Sequence, residues 1–426
     1  MTSAPTKPAA STPDRIQLIQ RRTLGVLAGA QIVGGVGVAV GLALSSVVVD
    51  DLSGSTVISG FAGTATVLGA ALLALPTAKA SGTGGRRAGL TLAYVAAMGG
   101  CAISVLAISL RNWPLLLAGL VLVGGGSAGS LAARYSATDL SPQGRSARHL
   151  SLVVWASTIG SVAGPNLAKP ADQIGMRLGL VEKAGPFAFS ALAFAVALTI
   201  IICFLRPDPL KLARELDGAE STATGRASTI RTAWQTLRSI PMARRALIMI
   251  ATSHTAMVSV MSMTPVKLHH DGSNLDVIGL VISVHIAGMY MLSPVVGWLA
   301  DKAGKVPVLV LGMALLLSAA SLAGTAGHRV WQVTAALMLL GLGWSCGLVA
   351  GSALVTESVP IERRAAVQGL SDLLMNVCGA TGTIIAGAIV GVLGYGMLGL
   401  VVGVMVATAG LWLTFVWRRQ GHLASA

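Results

Sequence analysis

Charge is scarce in this chain. Only 11% of its 426 residues are Asp, Glu, Lys or Arg, and acids are the rarer sign, 16 against 30 bases. A soluble domain carries about a quarter charged residues, so a globule facing water on all sides is excluded. Aromatic residues make up 4%, which is thin for stacking a flat ring or enclosing a lipophilic drug. The four cysteines, Cys101, Cys203, Cys346 and Cys378, sit singly in apolar runs, so they suit small apolar filler and exclude a disulfide framework. No phosphate-binding glycine loop, HExxH or nucleophile elbow is present, which leaves an enzyme without support and ATP without a direct role. No cleavable leader is expected.

What the chain has instead is apolar surface. Hydrophobic residues are 54% of it, the mean hydropathy is +0.76, and the excess is grouped into runs of about 20 residues, the length that spans a bilayer core. These runs predict an all-α membrane protein with twelve spans: 24–49, 53–75, 88–110, 114–134, 149–169, 186–206, 244–267, 275–299, 306–326, 331–356, 365–390 and 394–417. The 52 glycines fit close helix approach in lipid, where small residues are the packing device. Residues 1–23 read as a disordered cytoplasmic tail, 24–206 as one six-helix bundle, 207–243 as a polar linker, 244–417 as a second bundle and 418–426 as a cytoplasmic tail.

The net charge of +14 does not point to nucleic acid, because the bases sit in short loops between spans. Placing both termini inside puts most of them on that side, among them Arg21, Arg22, Arg134, Arg145, Arg148 and the linker bases, as the positive-inside rule requires. The partner implied is a bilayer, and a multi-pass bacterial cytoplasmic (inner) membrane protein, monomeric and without a cofactor, is expected. The halves repeat one another. Asp139-Leu-Ser-Pro-Gln-Gly-Arg145 follows the fourth span and Glu357-Ser-Val-Pro-Ile-Glu-Arg363 the tenth. The same offset carries Ser127 to Ser345, Gly129 to Gly347 and Gly164 to Gly382. Parallel six-helix repeats are the frame of an alternating-access transporter with its substrate between them near the midplane.

Two neighbouring spans carry soft metal ligands one helical turn apart, Met257 and Met261 as MxxxM and His285 and Met289 as HxxxM. An i, i+4 spacing puts each pair on one helix face, and thioether and neutral imidazole suit Cu(I). At ~1.5 Å per residue, Met257 and His285 come nearly level at mid-membrane, Met289 about one turn below and Met261 about one turn above. His254 is level with Met289 and shares the face of Met257 and Met261, making a fifth candidate. Met263 points away. The competing reading is methionine as flexible filler. Other residues invite a role. Asp372, inside the eleventh span, is a proton-coupling candidate, with Arg364 as an alternative partner in a gate. Asp139 and Arg145, and Glu357 and Arg363, form matched gate pairs. Asp50, Asp51, His269, His270 and Asp271 lie at outer span ends, where they could collect metal or simply be polar loop residues.

The loop after the eighth span, Gly297-Trp-Leu-Ala-Asp301-Lys302-Ala-Gly304-Lys305, resembles the G-x-L-a-D-r-x-G-r motif of the major facilitator superfamily. The resemblance implies two pseudo-symmetric six-helix bundles and a gate in which Gly297, Asp301, Lys302 and Gly304 take part. The matching loop of the first half keeps Gly85-Arg86-Arg87 but lacks the acid. Within that superfamily, MxxxM in the seventh span and HxxxM in the eighth resemble the CcoA-like copper importers of bacteria. That resemblance implies uptake of Cu(I), bare or as a small copper complex, through Met257, Met261, His285 and Met289. Two other readings compete. Gly160-Ser-Val-Ala-Gly164-Pro165 resembles the GxxxGP signature of proton-coupled exporters of drugs or small organic molecules, and relatives of the copper group include flavin importers.

Overall fold

The computed structural model describes residues 12–217, 230–273 and 275–424, and no strand occurs among them. The first half runs α1 (Thr12–Ala43), α2 (Ser45–Ser53), α3 (Thr56–Ser59), α4 (Phe61–Gly84), α5 (Arg86–Ser109), α6 (Trp113–Ser136), α7 (Ser146–Arg177) and α8 (Gly185–Phe204). Two short helices, α9 (Pro209–Leu216) and α10 (Ile230–Ser239), lead to the second half. That half runs α11 (Pro241–His270), α12 (Leu275–Ile286), a π-turn (Ala287–Met291), α13 (Ser293–Ala303), α14 (Lys305–Gly324), α15 (Val330–Ser358), α16 (Ile361–Leu393) and α17 (Tyr395–Ala424). Eleven stretches are long and apolar enough to cross a membrane, and counting α7, bent by 56° between Gly164 and Asn166, as one span makes twelve. Pro165 occupies the bend and removes a backbone donor there.

The span edges run past the hydropathy limits. Residues 12–23, expected in the tail, belong to α1, and the last helix continues through residues 418–424. Hydropathy windows stop at the last apolar residue, whereas helical hydrogen bonding continues through Arg21, Arg22 and their neighbours. The linker is partly helical too. Asp208 caps α9, accepting from the backbone N–H groups of Leu210 (3.1 Å) and Lys211 (3.2 Å). Residues 1–11, 218–229 and 425–426 of the expected tails and linker lie outside the described residues.

Two large apolar clusters fill the bundles, and that of the second half also takes in Ala147, Leu150 and Val154 of α7. One is centred on Leu27, Tyr94, Val123 and Phe194, the other on Leu309, Leu337, Leu340 and Val349. Glycine sets the closeness. A side-chain carbon on Gly100 would lie 2.5 Å from the Val123 backbone nitrogen, and one on Gly341 2.5 Å from the His285 carbonyl oxygen. Backbones this near leave no room for even one methyl group, as expected where packing rather than water drives association.

The bundles meet at the end that carries the start of α1, the close of α17 and the Pro142 and Pro360 loops, the basic end. Gly297 faces the Ala147 carbonyl and the Ser151 hydroxyl, and Gly369 faces the Ala78 methyl. Thr138 and Thr356, which the repeat equates, bond to each other at 3.4 Å, so the pseudo-axis passes between them. The repeat is also visible in ion pairs. Arg86 meets Asp139 (2.7 Å) in the first half as Lys305 meets Glu357 (2.9 Å) in the second. Each base follows a glycine of left-handed φ, Gly85 at 89° and Gly304 at 97°, where a side chain would be strained.

Candidate functional site: a central cavity closed at its basic end

A cavity of about 870 Å³ lies between the bundles. It is lined from Leu42, at the far end of α1, down to Arg134 in the last turn of α6 and Asn376 on α16. Along α1 it extends from Leu42 to Gln31, ~17 Å at ~1.5 Å per residue, roughly half of a ~30 Å bilayer core, and it is closed toward the basic end, where the bundles touch.

Its upper wall is apolar, with Val38, Leu42, Met257, Met261 and Ile282, and Met289 and Leu348 continue the apolar lining below them. Midway, the Trp344 indole N–H donates to His254 Nδ1 at 3.0 Å. The Tyr290 ring stands edge-on to Trp344, with centroids 5.6 Å apart. A neutral His254 that accepts at Nδ1 carries its proton on Nε2, so neither ring nitrogen is left as a metal ligand. Near the foot, Gln31 donates from Nε2 to Ser157 Oγ at 2.7 Å and to Ser130 Oγ, while its Oε1 is buried without a partner.

Arg134 forms the floor. It is 1% exposed, and among the described lining residues it alone carries a formal charge. Its Nη2 donates to Asp372 Oδ1 at 2.6 Å and lies 3.5 Å from the Met375 sulfur. Its Nε and Nη1 are buried without partners. Unpaired buried donors cost roughly 1–3 kcal/mol each, so this guanidinium has bonding capacity held in reserve. Asp372 is 5% exposed and lies behind Arg134, against a small void shared with Arg86, Tyr135 and Gln368. The bridge joins the bundles, since Arg134 is on α6 and Asp372 on α16. Beside it, Tyr135 bonds Ser371 at 3.1 Å.

The sequence-level candidates divide. Met257, Met261, Met289 and His254 line the cavity. His285 does not. Its ring is fully buried, with Nδ1–H donated to the Leu337 carbonyl at 2.8 Å and Nε2 left without a partner. The physical reason is the π-turn at Ala287–Met291. The one-face rule for i, i+4 pairs holds for 3.6 residues per turn, and a wider turn between His285 and Met289 changes their phase.

The gate residues pair differently from their sequence neighbours. Asp372 bonds Arg134 rather than Arg364. Asp139 takes Arg86 rather than Arg145, and Arg86 also reaches Gln368 across the bundles at 2.7 Å. Glu357 takes Lys305 and, across the bundles, the Ser146 hydroxyl (2.7 Å), rather than Arg363. Each acid takes its base from another element, Asp139 from the start of α5, Glu357 from the start of α14 and Asp372 from α6. Asp301 accepts from the backbone N–H groups of Ala147 (3.2 Å) and Arg148 (2.9 Å), capping α7 from the other bundle. Lys302 lies over the Trp298 ring, away from that contact. In the first half, where the loop has no acid, Asp208 accepts from the Arg87 N–H at 2.8 Å. At the far end, Asp51 pairs with Lys183, and Asp271 with Lys267 and His328. No cluster of three or more His, Cys, Asp or Glu able to hold a metal occurs among the described residues.

Arg134, Gln31 and Asn376 also line the cavity and are not among the candidates that the sequence singles out. By charge alone Arg134 groups with the loop bases, although four residues earlier Ser130 continues the same helix face and the run around it is apolar. That placement was the available signal.

Twelve spans in two repeated bundles around a cavity shut at one end define a secondary membrane transporter. The chain belongs to the Major Facilitator Superfamily, whose family model matches residues 26–276 and 267–424. Similar proteins include two from Bacillus subtilis (strain 168), the uncharacterized MFS-type transporters YdeG, 33% identical over 396 residues (93% of this chain, 92% of that protein), and YddS, 33% over 392 residues (91% and 89%). The riboflavin transporter RfnT of Brucella anthropi is 25% identical over 374 residues (87% and 89%). Among solved structures, the human organic anion transporter MFSD10 aligns with a TM-score of 0.75 at 17% identity (92% of this chain, 99% of that one). The outward conformation of FucP aligns at 0.71 and 13% (92% and 98%). At these identities the structures share the fold.

Proposed function

We propose that this chain carries a small organic molecule across the membrane by alternating access, with the central cavity as its binding site. The observation that carries this reading is the cavity itself. At about 870 Å³ it falls in the range of organic-ligand pockets, roughly 300–1,000 Å³, and far exceeds the shell of one ion. Its walls combine an apolar upper half with a few convergent polar groups below, the usual composition of such sites.

In this reading the basic end faces the cytoplasm, as the positive-inside rule requires, and the membrane is a bacterial inner membrane. The cavity then stands open outward and shut inward. Gly297, Gly369, Asp301, Asp139, Glu357 and their partners form the inner gate. Asp372 is the proton-coupling group: protonation would neutralise it, release Arg134 and loosen the bond between bundles.

Copper has partial support. Met257, Met261 and Met289 line the cavity, but His254 is committed to Trp344, His285 lies outside the lining, and the charge at the floor is positive. A Cu(I) ion would be repelled by Arg134 and held by thioethers alone. A flavin is the second organic candidate, favoured by the similarity to RfnT and by Trp344 and Tyr290 on one wall.

The test is accumulation in proteoliposomes bathed in a defined metabolite mixture with riboflavin and Cu(I), read by mass spectrometry. An organic solute should accumulate at least tenfold over empty liposomes. Accumulation of copper alone would overturn the proposal.

A further inference from the structure

We infer that the cargo is an organic acid whose anionic group seats on Arg134 at the foot of the cavity. This rests on the reading of that cavity as the cargo site and specifies its chemistry.

Three observations converge. Arg134 is the sole charged residue among the described lining residues, and its neutralising acid, Asp372, does not line the cavity but lies behind the guanidinium. The pair therefore acts as a dipole with its positive end toward the cargo. Second, only Nη2 is engaged, at 2.6 Å from Asp372, while Nε and Nη1 are buried and unpartnered. An arginine with unused donors in a low-dielectric site is a receptor for carboxylate, sulfonate or phosphate. Third, the next polar group along the same α6 face is Ser130, one turn away, which holds Gln31. Gln31 Oε1 is buried and unpartnered, an acceptor waiting for a donor beside the acid. The Met257, Met261 and Met289 wall above offers adaptable apolar contact for a carbon skeleton.

The arrangement also says how cargo and gate communicate. Arg134 belongs to one bundle and Asp372 to the other. An anion on the guanidinium competes for the same positive charge that Asp372 holds, so it weakens a bond keeping the inner end shut.

The experiment is a thermal-unfolding screen of the purified full chain in detergent. The probes are matched acid, primary-amide and amine forms of phenyl, naphthyl and cyclohexyl skeletons, with riboflavin and Cu(I) alongside. At least one acid should raise the unfolding midpoint by several degrees while its amide and amine do not. The shift should vanish in Arg134→Gln and in the Arg134→Gln, Asp372→Asn double variant, which leaves no buried charge unpaired and so reports on a folded protein. Stabilisation by an amide, an amine or riboflavin equal to that of the acids, or none by any acid, would overturn the inference while leaving an organic cargo open. Stabilisation by Cu(I) alone would overturn both. A readout independent of cargo is collisional quenching of the fluorescence lost in Trp344→Phe. Iodide should quench it several-fold better than caesium, the bias should disappear in the double variant, and equal quenching in the native chain would contradict a positive cavity.

Discussion

The Arg134–Asp372 bridge is a buried ion pair between the two bundles. Removing one member of a buried ion pair leaves the other uncompensated and costs about 3–5 kcal/mol, whereas removing both charges is often close to neutral. Arg134→Gln and Asp372→Asn should each lower the thermal midpoint clearly, the double variant should recover most of the loss, and all three should fail to transport. Single variants as stable as the native chain would show that the bridge carries no such energy. His285 offers a contrast. Its ring is tied to the Leu337 carbonyl and lies outside the cavity lining, so His285→Phe should cost about 1–2 kcal/mol of stability and leave cargo affinity within about twofold. Met257→Ala, by changing the cavity wall, should alter affinity with a smaller loss of stability. Equal loss of binding in both variants would return His285 to the site.

Where helices cross, glycine and backbone capping set which conformation is preferred. Gly369 faces the Ala78 methyl and Gly297 faces Ser151 across the bundle interface. A methyl at either position overpacks the shut end, at about 1–3 kcal/mol, and should raise the maleimide reactivity of a cysteine placed at Thr356, which is 2% exposed, about tenfold. An unchanged rate would show that these contacts do not hold the gate. Asp301 caps α7 from the opposite bundle, so Asp301→Asn should loosen the same end by about 1 kcal/mol and raise that reactivity by a smaller factor. The helices themselves were legible in the sequence, because apolar runs and loop bases mark spans without any knowledge of their neighbours. The i, i+4 face rule served for Met257 and Met261, both on the regular helix α11. It failed between His285 and Met289 because a π-turn leaves no mark in hydrophobic periodicity.

Across the molecule, what could be read in advance was what repeats or partitions into lipid: twelve spans, two bundles, the paired Asp139 and Glu357 loops. What could not be read was which groups face one another between bundles. Arg86 to Gln368, Arg134 to Asp372 and Asp301 to Ala147 are contacts between elements far apart in the chain, and loop neighbours such as Asp139 and Arg145 were the wrong guide to them. Those contacts carry the central claim, that the protein is shut at the basic end by bonds running from one bundle to the other, with Arg134–Asp372 the one that reaches the cavity. Spin labels at Gln143→Cys and Glu362→Cys, both exposed at that end, in a background lacking the native cysteines, report the separation of the bundles directly by pulsed electron–electron resonance. The native pair should give a single short distance, and the Arg134→Gln, Asp372→Asn variant should add a longer population. An identical distribution in both would contradict the account.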